Sequence, residues 1–475
     1  MMKMKTLKIV LVAGILALGT ACKKEGCTDP AATNFNEEAK KDDGSCTYPN
    51  QDDAIVELVG DLTTRTLTKD KKYLLKGQVF VRDGQTLTIE PGTIVLGDKA
   101  TKGTLVIDRG GKLIADGTQS EPIVFTSALP AGQRDKGDWG GLIILGYAKQ
   151  NQPDPAVEGI TPNVYFGGTN DNDDSGILRY VRVEFGGIEL TPNNETNSIT
   201  MGACGKGTIM EYAMVSFGGD DGFEWFGGSN DGKYLISYGM WDDDFDVDYG
   251  YTGKNQFGLA VRYPSFADQS GSNIFECDNG PNDDLTDLLT EGVFSNFTGI
   301  GPRLQDGQTI SGNNQHSMDL RRRTAVTIAN SVFIGMPRGL RMNQTSVYQN
   351  YEAGTGVLTN NILCQPGSIF LSGGDHTADD VKDYWMDKNE LKDGTDFAKI
   401  INELGLNSNI FFGNNLNTNY SSNPTFTVTS GELASGADFS HSKLSGFDQV
   451  SYRGAFGSSD WTQGWAEWNP IEKEY

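Results

Sequence analysis

The densest run of side chains able to do chemistry lies between residues 220 and 248, where Asp and Glu recur among aromatics. In FDVDY (245–249) strict alternation predicts a strand with Phe245, Val247 and Tyr249 inward and Asp246 and Asp248 outward. In FEWF (223–226) the same parity puts Glu224 outward. The segments EYAMVSFGGDDGFEWFGG (211–228) and KYLISYGMWDDDFDVDYG (233–250) align at an offset of 22 residues, a reasonable length for one coil of a solenoid. Stacking at that offset sets Glu224 beside Asp246, about 5 Å away. Asp220 and Asp221 then fall on Asp242 and Asp243 at the adjoining turn, with Asp244 close by. Two like charges about 5 Å apart repel by roughly 1–3 kcal/mol at effective dielectrics between water and a protein surface. Such a ridge requires a cation, protonation, or splaying into water. A hard cation with oxygen ligands, Ca²⁺, suits it. The alternatives are a solvated acidic face and a carboxylate pair doing acid–base work, as in glycoside hydrolysis.

A second candidate loop is GTNDNDDSG (168–176), in which Asp171, Asp173 and Asp174 are possible calcium ligands. No glutamate closes a 12-residue EF-hand loop there, so a turn competes with that reading. Asp29, Asp42 and Asp43 offer a third possibility. Basic residues concentrate later in the chain: Arg303, Arg321, Arg322, Arg323, Arg338 and Arg341, with His316 nearby. In β-helical polysaccharide lyases an arginine or lysine removes a proton beside a calcium-bound uronate, so acids and arginines on one solenoid would suit that chemistry. The two clusters lie some 60–100 residues apart in sequence, which predicts a separation of several coils. Arg321-Arg322-Arg323 cannot all point one way on a strand, so at least one faces inward or lies in a turn.

What must position these groups is all-β. Short apolar-alternating strands recur from about residue 55, separated by Gly, Asp and Asn, as in TLTIEPGTIVLG (86–97) and GTLVIDRGGKLIADGT (103–118). LTEGVFSN (289–296), IANSVFIG (328–335), LTNNILCQ (358–365) and NSNIFFGN (407–414) each place a small or amide residue just before an apolar pair. This is the pattern of a right-handed parallel β-helix whose coils stack strand on strand and turn asparagine on turn asparagine. About a dozen coils are expected over residues 55–449. Residues 377–407 have helical spacing with Gly405 as a stop, and predict a small helical insertion. Residues 450–475, with Trp461, Trp465 and Trp468, are expected to cap the open end of the solenoid.

Composition narrows the function. The chain has 475 residues, 60 of them Gly, with 39 Lys plus Arg against 63 Asp plus Glu. The net charge of −24, about −27 once Lys3, Lys5 and Lys8 of a leader are removed, excludes a nucleic-acid partner. Three histidines exclude a histidine-rich zinc site and disfavour a Ser-His-Asp triad. Residues 1–21 combine a basic start with an apolar run from Ile9 to Leu18, too short to span a bilayer, and read as a secretory signal. Small residues then precede Cys22, and this resembles a bacterial lipoprotein signal, which implies acylation of Cys22 and stable anchoring. Residues 22–54 form a tether. In it Cys27 and Cys46 bracket a polar segment without a core of its own, which a disulfide would close. Cys204, Cys277 and Cys364 read as buried thiols.

The segment CTDPAATNFNEEAKKDDGSC (27–46) resembles a short module of secreted and surface proteins of the Bacteroidota, with Phe35 in place of its tyrosine. More widely, EPIVFTSALPAGQRDKGDWGGLIILG (121–146), FGGTNDNDDSGILRYVRVEFGG (166–187) and YRGAFGSSDWTQGW (452–465) resemble large β-helical outer-membrane lipoproteins of the same phylum. That resemblance implies fold and location, and transfers no catalytic residue. The expectation is a non-enzymatic, lipid-anchored β-helical rod facing the cell exterior, binding calcium and a glycan. A polysaccharide lyase or hydrolase, and an accessory subunit of an outer-membrane uptake receptor, are the alternatives.

Overall fold

The computed structural model describes residues 24–30, 32, 34–47, 55–191, 194–303, 307–365, 367–407 and 424–475. The signal segment, Cys22 and most of the strand expected at 407–414 lie outside them. The chain divides into two compact units, Met1–Ala54 and Ile55–Tyr475. In the first, a Cys27–Cys46 disulfide closes the loop. Asp42 and Asp43 accept from the backbone N–H groups of Gly44 and Ser45, so they shape a turn. Asn34 holds the two sides of the loop together through Ser45 O and Thr47 N.

The second unit is a parallel β-helix built from three ladders. One ladder runs from Ile55–Leu58 through Lys72–Leu75, Ile94–Gly97, Ile123–Phe125, Val181–Glu184 and onward to Glu390–Asp393, twelve rungs in all. Every pairing along it is parallel, which matches the expected dozen coils. A second ladder starts at Arg65–Leu67, and a third carries the acidic strands. Inside, residues of successive coils stack on their own kind. Phe223, Phe245 and Phe275 are fully buried, with ring centroids 5.7 and 5.2 Å apart.

One corner of each middle coil is turned by a single residue in the left-handed region. Tyr180, Tyr212, Tyr234 and Phe257 take φ of 48°, 52°, 60° and 63°, and Asn296, Asn330 and Asn360 follow at the same corner. Asparagine tolerates this region because its side chain bonds locally, and Asn360 Nδ2 donates to Asn330 Oδ1 at 2.7 Å. An aromatic residue there is strained by about 1–2 kcal/mol. Here the strain is offset by stacking, with centroids 4.3, 4.4 and 5.1 Å apart.

Two expectations about the ends exchange places. Residues 378–388 form helix α2, Ala378–Lys388, opened by a capping box between Thr377 and Asp380. Its buried Val381 and Trp385 lie one turn apart, and the helix packs on the last strands of all three ladders. So α2 closes the C-terminal end of the core, and Glu390–Asp393 behind it continues the sheet. Helix α3, Phe397–Leu404, then stops at Gly405, φ 82°. The tryptophan segment instead runs back along the flank as a strap. Gly454 N–H bonds Asn330 O, Trp461 packs on Tyr234, Trp465 lies edge-on to Tyr180 and Tyr212, and Lys72 Nζ reaches Tyr475 O. The aromatic corner has an apolar outer edge, and the strap buries it. A short helix at Thr345–Glu352, α1, has no counterpart in the sequence reading.

Candidate metal centre

The acidic strands sit on adjacent rungs of the third ladder. Glu224 pairs with Asp246, and Phe223 with Phe245, at the expected offset of 22. The column continues beyond what the repeat revealed: Asp246 pairs with Glu276, Glu276 with Asp319, and Asp319 with Arg341. Four successive rungs therefore carry a carboxylate on one outward line, with Thr200 before them. Glu276 and Asp319 escaped the repeat because insertions lengthen their coils to 30 and 43 residues. The apolar-acid-apolar triplets Phe275-Glu276-Cys277 and Met318-Asp319-Leu320 are the signal that would have found them.

The turn before each strand adds further acids. Asp243 N–H donates to Asp221 Oδ1 at 2.8 Å, and Asn273 N–H donates in turn to Asp243. Each aspartate thus ties its coil to the next while leaving a carboxylate oxygen for other work. Three groups result in which carboxylate oxygens lie within 4.8 Å of one another: Asp220, Asp221 and Asp242; Asp221, Glu224 and Asp246; Asp243, Asp246 and Glu276. Asp221 and Asp246 each belong to two groups. These groups can hold a metal ion. Asp242 Oδ1 and Asp246 Oδ1 are buried with no hydrogen-bond partner.

Asp244 departs from the ridge. It turns into the core, where Ser237 Oγ donates to it at 2.6 Å and the fully buried Arg262 pairs with it at 3.1 Å. Loop 168–176 forms no such group among the described residues. Asp171 pairs with Lys149, Asp174 with Lys112, and Asp173 accepts from Ser175 Oγ at 3.0 Å. Each carboxylate there already has a donor, and the loop is a turn.

The ridge is not a solvated face. The outward side of the third ladder upstream is covered by residues 157–166 and 188–190, whose Ile160, Val164 and Leu190 pack on Phe80, Val106 and Ile143. The acids lie where that cover ends, in a pocket of about 320 Å³ floored by Asp220, Asp221 and Glu224. Its wall is aromatic: Phe166, Phe226 and Tyr249, with centroids 5.0–6.4 Å apart. Tyr249 was expected inward. Its left-handed φ of 51° reverses the parity and stacks it outside, on Phe226.

Burial, then the charges of neighbouring acids, raises the carboxyls of Asp220, Asp221, Glu224, Asp243 and Asp246 well above the usual range. Burial pushes Asp242 up to about 6, and burial with the charge of Asp278 pushes Asp248 up to about 8.

The basic cluster is closer than its sequence distance suggested, because insertions and not coils separate it. Arg321 lies one rung past Glu276 and pairs with Glu276 and Asp278, and Arg322 also reaches Asp278, at 2.8 Å. Arg322 and Arg323 occupy the turn, with φ of 42° and 69°. Arg341 Nε bonds Asp319 at 2.7 Å, and Arg338 bonds Gln315 at 3.2 Å. His316 is fully buried beside Asn273, at 3.0 Å, and burial with the nearby arginines lowers its pKa to about 3. Arg303 bonds Gly335 O through its backbone N–H, and its Nε is buried without a hydrogen-bond partner. Cys204, Cys277 and Cys364 are free and buried.

Residues 60–399 match the family model described as a pectate-lyase like beta helix domain. The chain belongs to this family. The match covers the three ladders from their first complete coil to helix α3, and so includes the whole acidic column of the pectate-lyase-like domain. No curated protein matches the chain.

Proposed function

We propose that this pectate-lyase-like β-helix is a lipid-anchored, surface-displayed binding protein whose acidic pocket holds calcium. The observation that carries the reading is the pair of shared carboxylates, Asp221 and Asp246, in overlapping groups in which Asp242 Oδ1 and Asp246 Oδ1 are buried without a hydrogen-bond partner. An oxygen-only ligand set at a mostly rigid turn suits Ca²⁺ better than a thiophilic or imidazole-seeking metal. Binding to the folded state raises the melting temperature by mass action. Chelator should therefore lower it and millimolar calcium should restore it. If sodium shifts the curve as calcium does, or calcium leaves it unchanged, the pocket holds no specific ion. Anchoring rests on the residues before the described chain: Cys22→Ala should move the protein from the membrane to the soluble fraction, and retention in the membrane would refute lipidation.

A polysaccharide lyase is the second reading, favoured by Arg321 beside the carboxylate column. Its chemistry needs a base free to take a proton. Burial alone would lower the Arg321 pKa, but Glu276 and Asp278 override it, so the guanidinium holds its proton more tightly than an ordinary arginine. That favours binding over elimination. Release of unsaturated uronides from pectin or alginate by the purified protein would reverse this preference.

A further inference from the structure

The pocket has two chemistries side by side, and they constrain a ligand more than calcium alone does. Its floor is built of carboxyls, and Glu158 and Glu195 also line it, while no lysine or arginine among the described residues does. Its wall presents the partly exposed rings of Phe226 and Tyr249. Phe226 is two residues from Glu224 on one strand, so ring and carboxylate face the same way. On its upstream side the apolar cover of residues 157–166 and 188–190 packs on the ladder, so a polymer lying along the face would end against it. At about 320 Å³ it falls at the small end of ligand pockets, about 300–1,000 Å³, which suits one sugar ring and an ion.

Resting on the calcium reading, we propose that the pocket binds the terminal sugar of a neutral glycan through the ion. Asp221, Glu224 and Asp246 supply carboxylate oxygens, and Ca²⁺ takes about 6–8 oxygen ligands, so positions remain for two vicinal hydroxyls of the sugar. Phe226 and Tyr249 then pack against the C–H face of the ring, the usual division between a few placed polar groups and an apolar wall. A uronate would bring its own negative charge beside Glu158 and Glu195, and no lysine or arginine among the described lining residues would offset it. The site therefore selects against charged sugars, although the fold is described by its likeness to pectate lyase.

The test is calorimetry on the mature protein in two stages. Calcium is titrated first. Methyl glycosides of mannose, fucose, galactose and glucose, and of galacturonic acid, are then titrated into the calcium-loaded and the EDTA-treated protein. At least one neutral glycoside should bind, with affinity falling at least tenfold in EDTA, and the galacturonide should bind at least tenfold more weakly. Phe226→Ala should weaken that glycoside at least tenfold with calcium affinity unchanged within twofold, and Phe226→Tyr should retain it. A trisaccharide ending in the same sugar should gain no more than about threefold. Tyr249→Ala repeats the test should Phe226→Ala not fold. Calcium binding with no neutral glycoside bound overturns the sugar inference and leaves the calcium reading standing. Binding that persists in EDTA, or a galacturonide that binds as tightly as the neutral sugars, also overturns it. Absence of calcium binding overturns both.

Discussion

The carboxylate column has two halves built on one ladder and finished in opposite ways. Downstream, Glu276 and Asp319 face arginines supplied by the chain: Arg321 spans Glu276 and Asp278, and Arg341 takes Asp319. Upstream, the acids are met by neutral donors. Asn197 donates to Glu224, Ser270 to Asp242, and backbone N–H groups to Asp221 and Asp243. Parallel stacking repeats each outward position about 5 Å along the axis, so an acid retained in successive coils accumulates charge. One half neutralises it internally. The other keeps an aromatic-walled pocket beside it and, in the proposed reading, takes its counter-charge from a cation. The contrast lies on a single face: where the arginines are, the acids are paired within the chain.

The most damaging change should strike both halves, because both hang from the same internal stack. Phe245→Ala removes the ring between Phe223 and Phe275 and should cost about 3–5 kcal/mol of unfolding free energy, measured by denaturant titration. A loss below about 1 kcal/mol would mean that the two halves are not supported by that stack. Arg321→Ala should come next, at about 3 kcal/mol, since it strands Glu276 and leaves Asp278 with Arg322 alone. It should also make the downstream half resemble the upstream one, so that added calcium recovers more stability in the variant than in the parent protein.

The smallest expected effect is a pH dependence with a definite sign. Asp242 and Asp248 have folded-state pKa values of about 6 and about 8, above the ordinary 3.8. The folded state then binds more protons than the unfolded state, and the stability those groups contribute is lost as pH rises through the folded values. Metal-free protein should therefore melt at a lower temperature at pH 8 than at pH 6. Saturating calcium should reduce that drop. A metal-free protein whose melting temperature rises from pH 6 to pH 8 would show that these acids are ionised without help.

The fold was legible because the coils at 211–250 carry no insertion, so Phe223 and Phe245, Glu224 and Asp246 recur at one spacing and their stacking follows from it. The same logic concealed Glu276, Asp319 and Arg321, whose coils carry insertions of unequal length at 262–273, 278–292 and 301–315. Parity failed at Tyr249 because its own left-handed backbone turns its ring to the outer side. Asp244, expected beside the ridge at the turn, leaves it because a buried arginine 18 residues later draws that carboxylate inward. The pocket itself was hidden, since its roof comes from residues 156–158 and 194–197, remote in sequence from its floor. The tryptophans were read correctly as covering an exposed edge, but of the corner stack and not of the solenoid's end.

The direct test compares the two halves by calcium titration of the parent protein, Asp246→Asn and Asp319→Asn. Both substitutions remove one charge from the same column with little change in shape. The parent protein should bind calcium, Asp246→Asn should weaken it at least tenfold, and Asp319→Asn should match the parent within about twofold. Equal weakening by both variants, or no binding by the parent protein, would contradict the assignment of the upstream acids to an external cation.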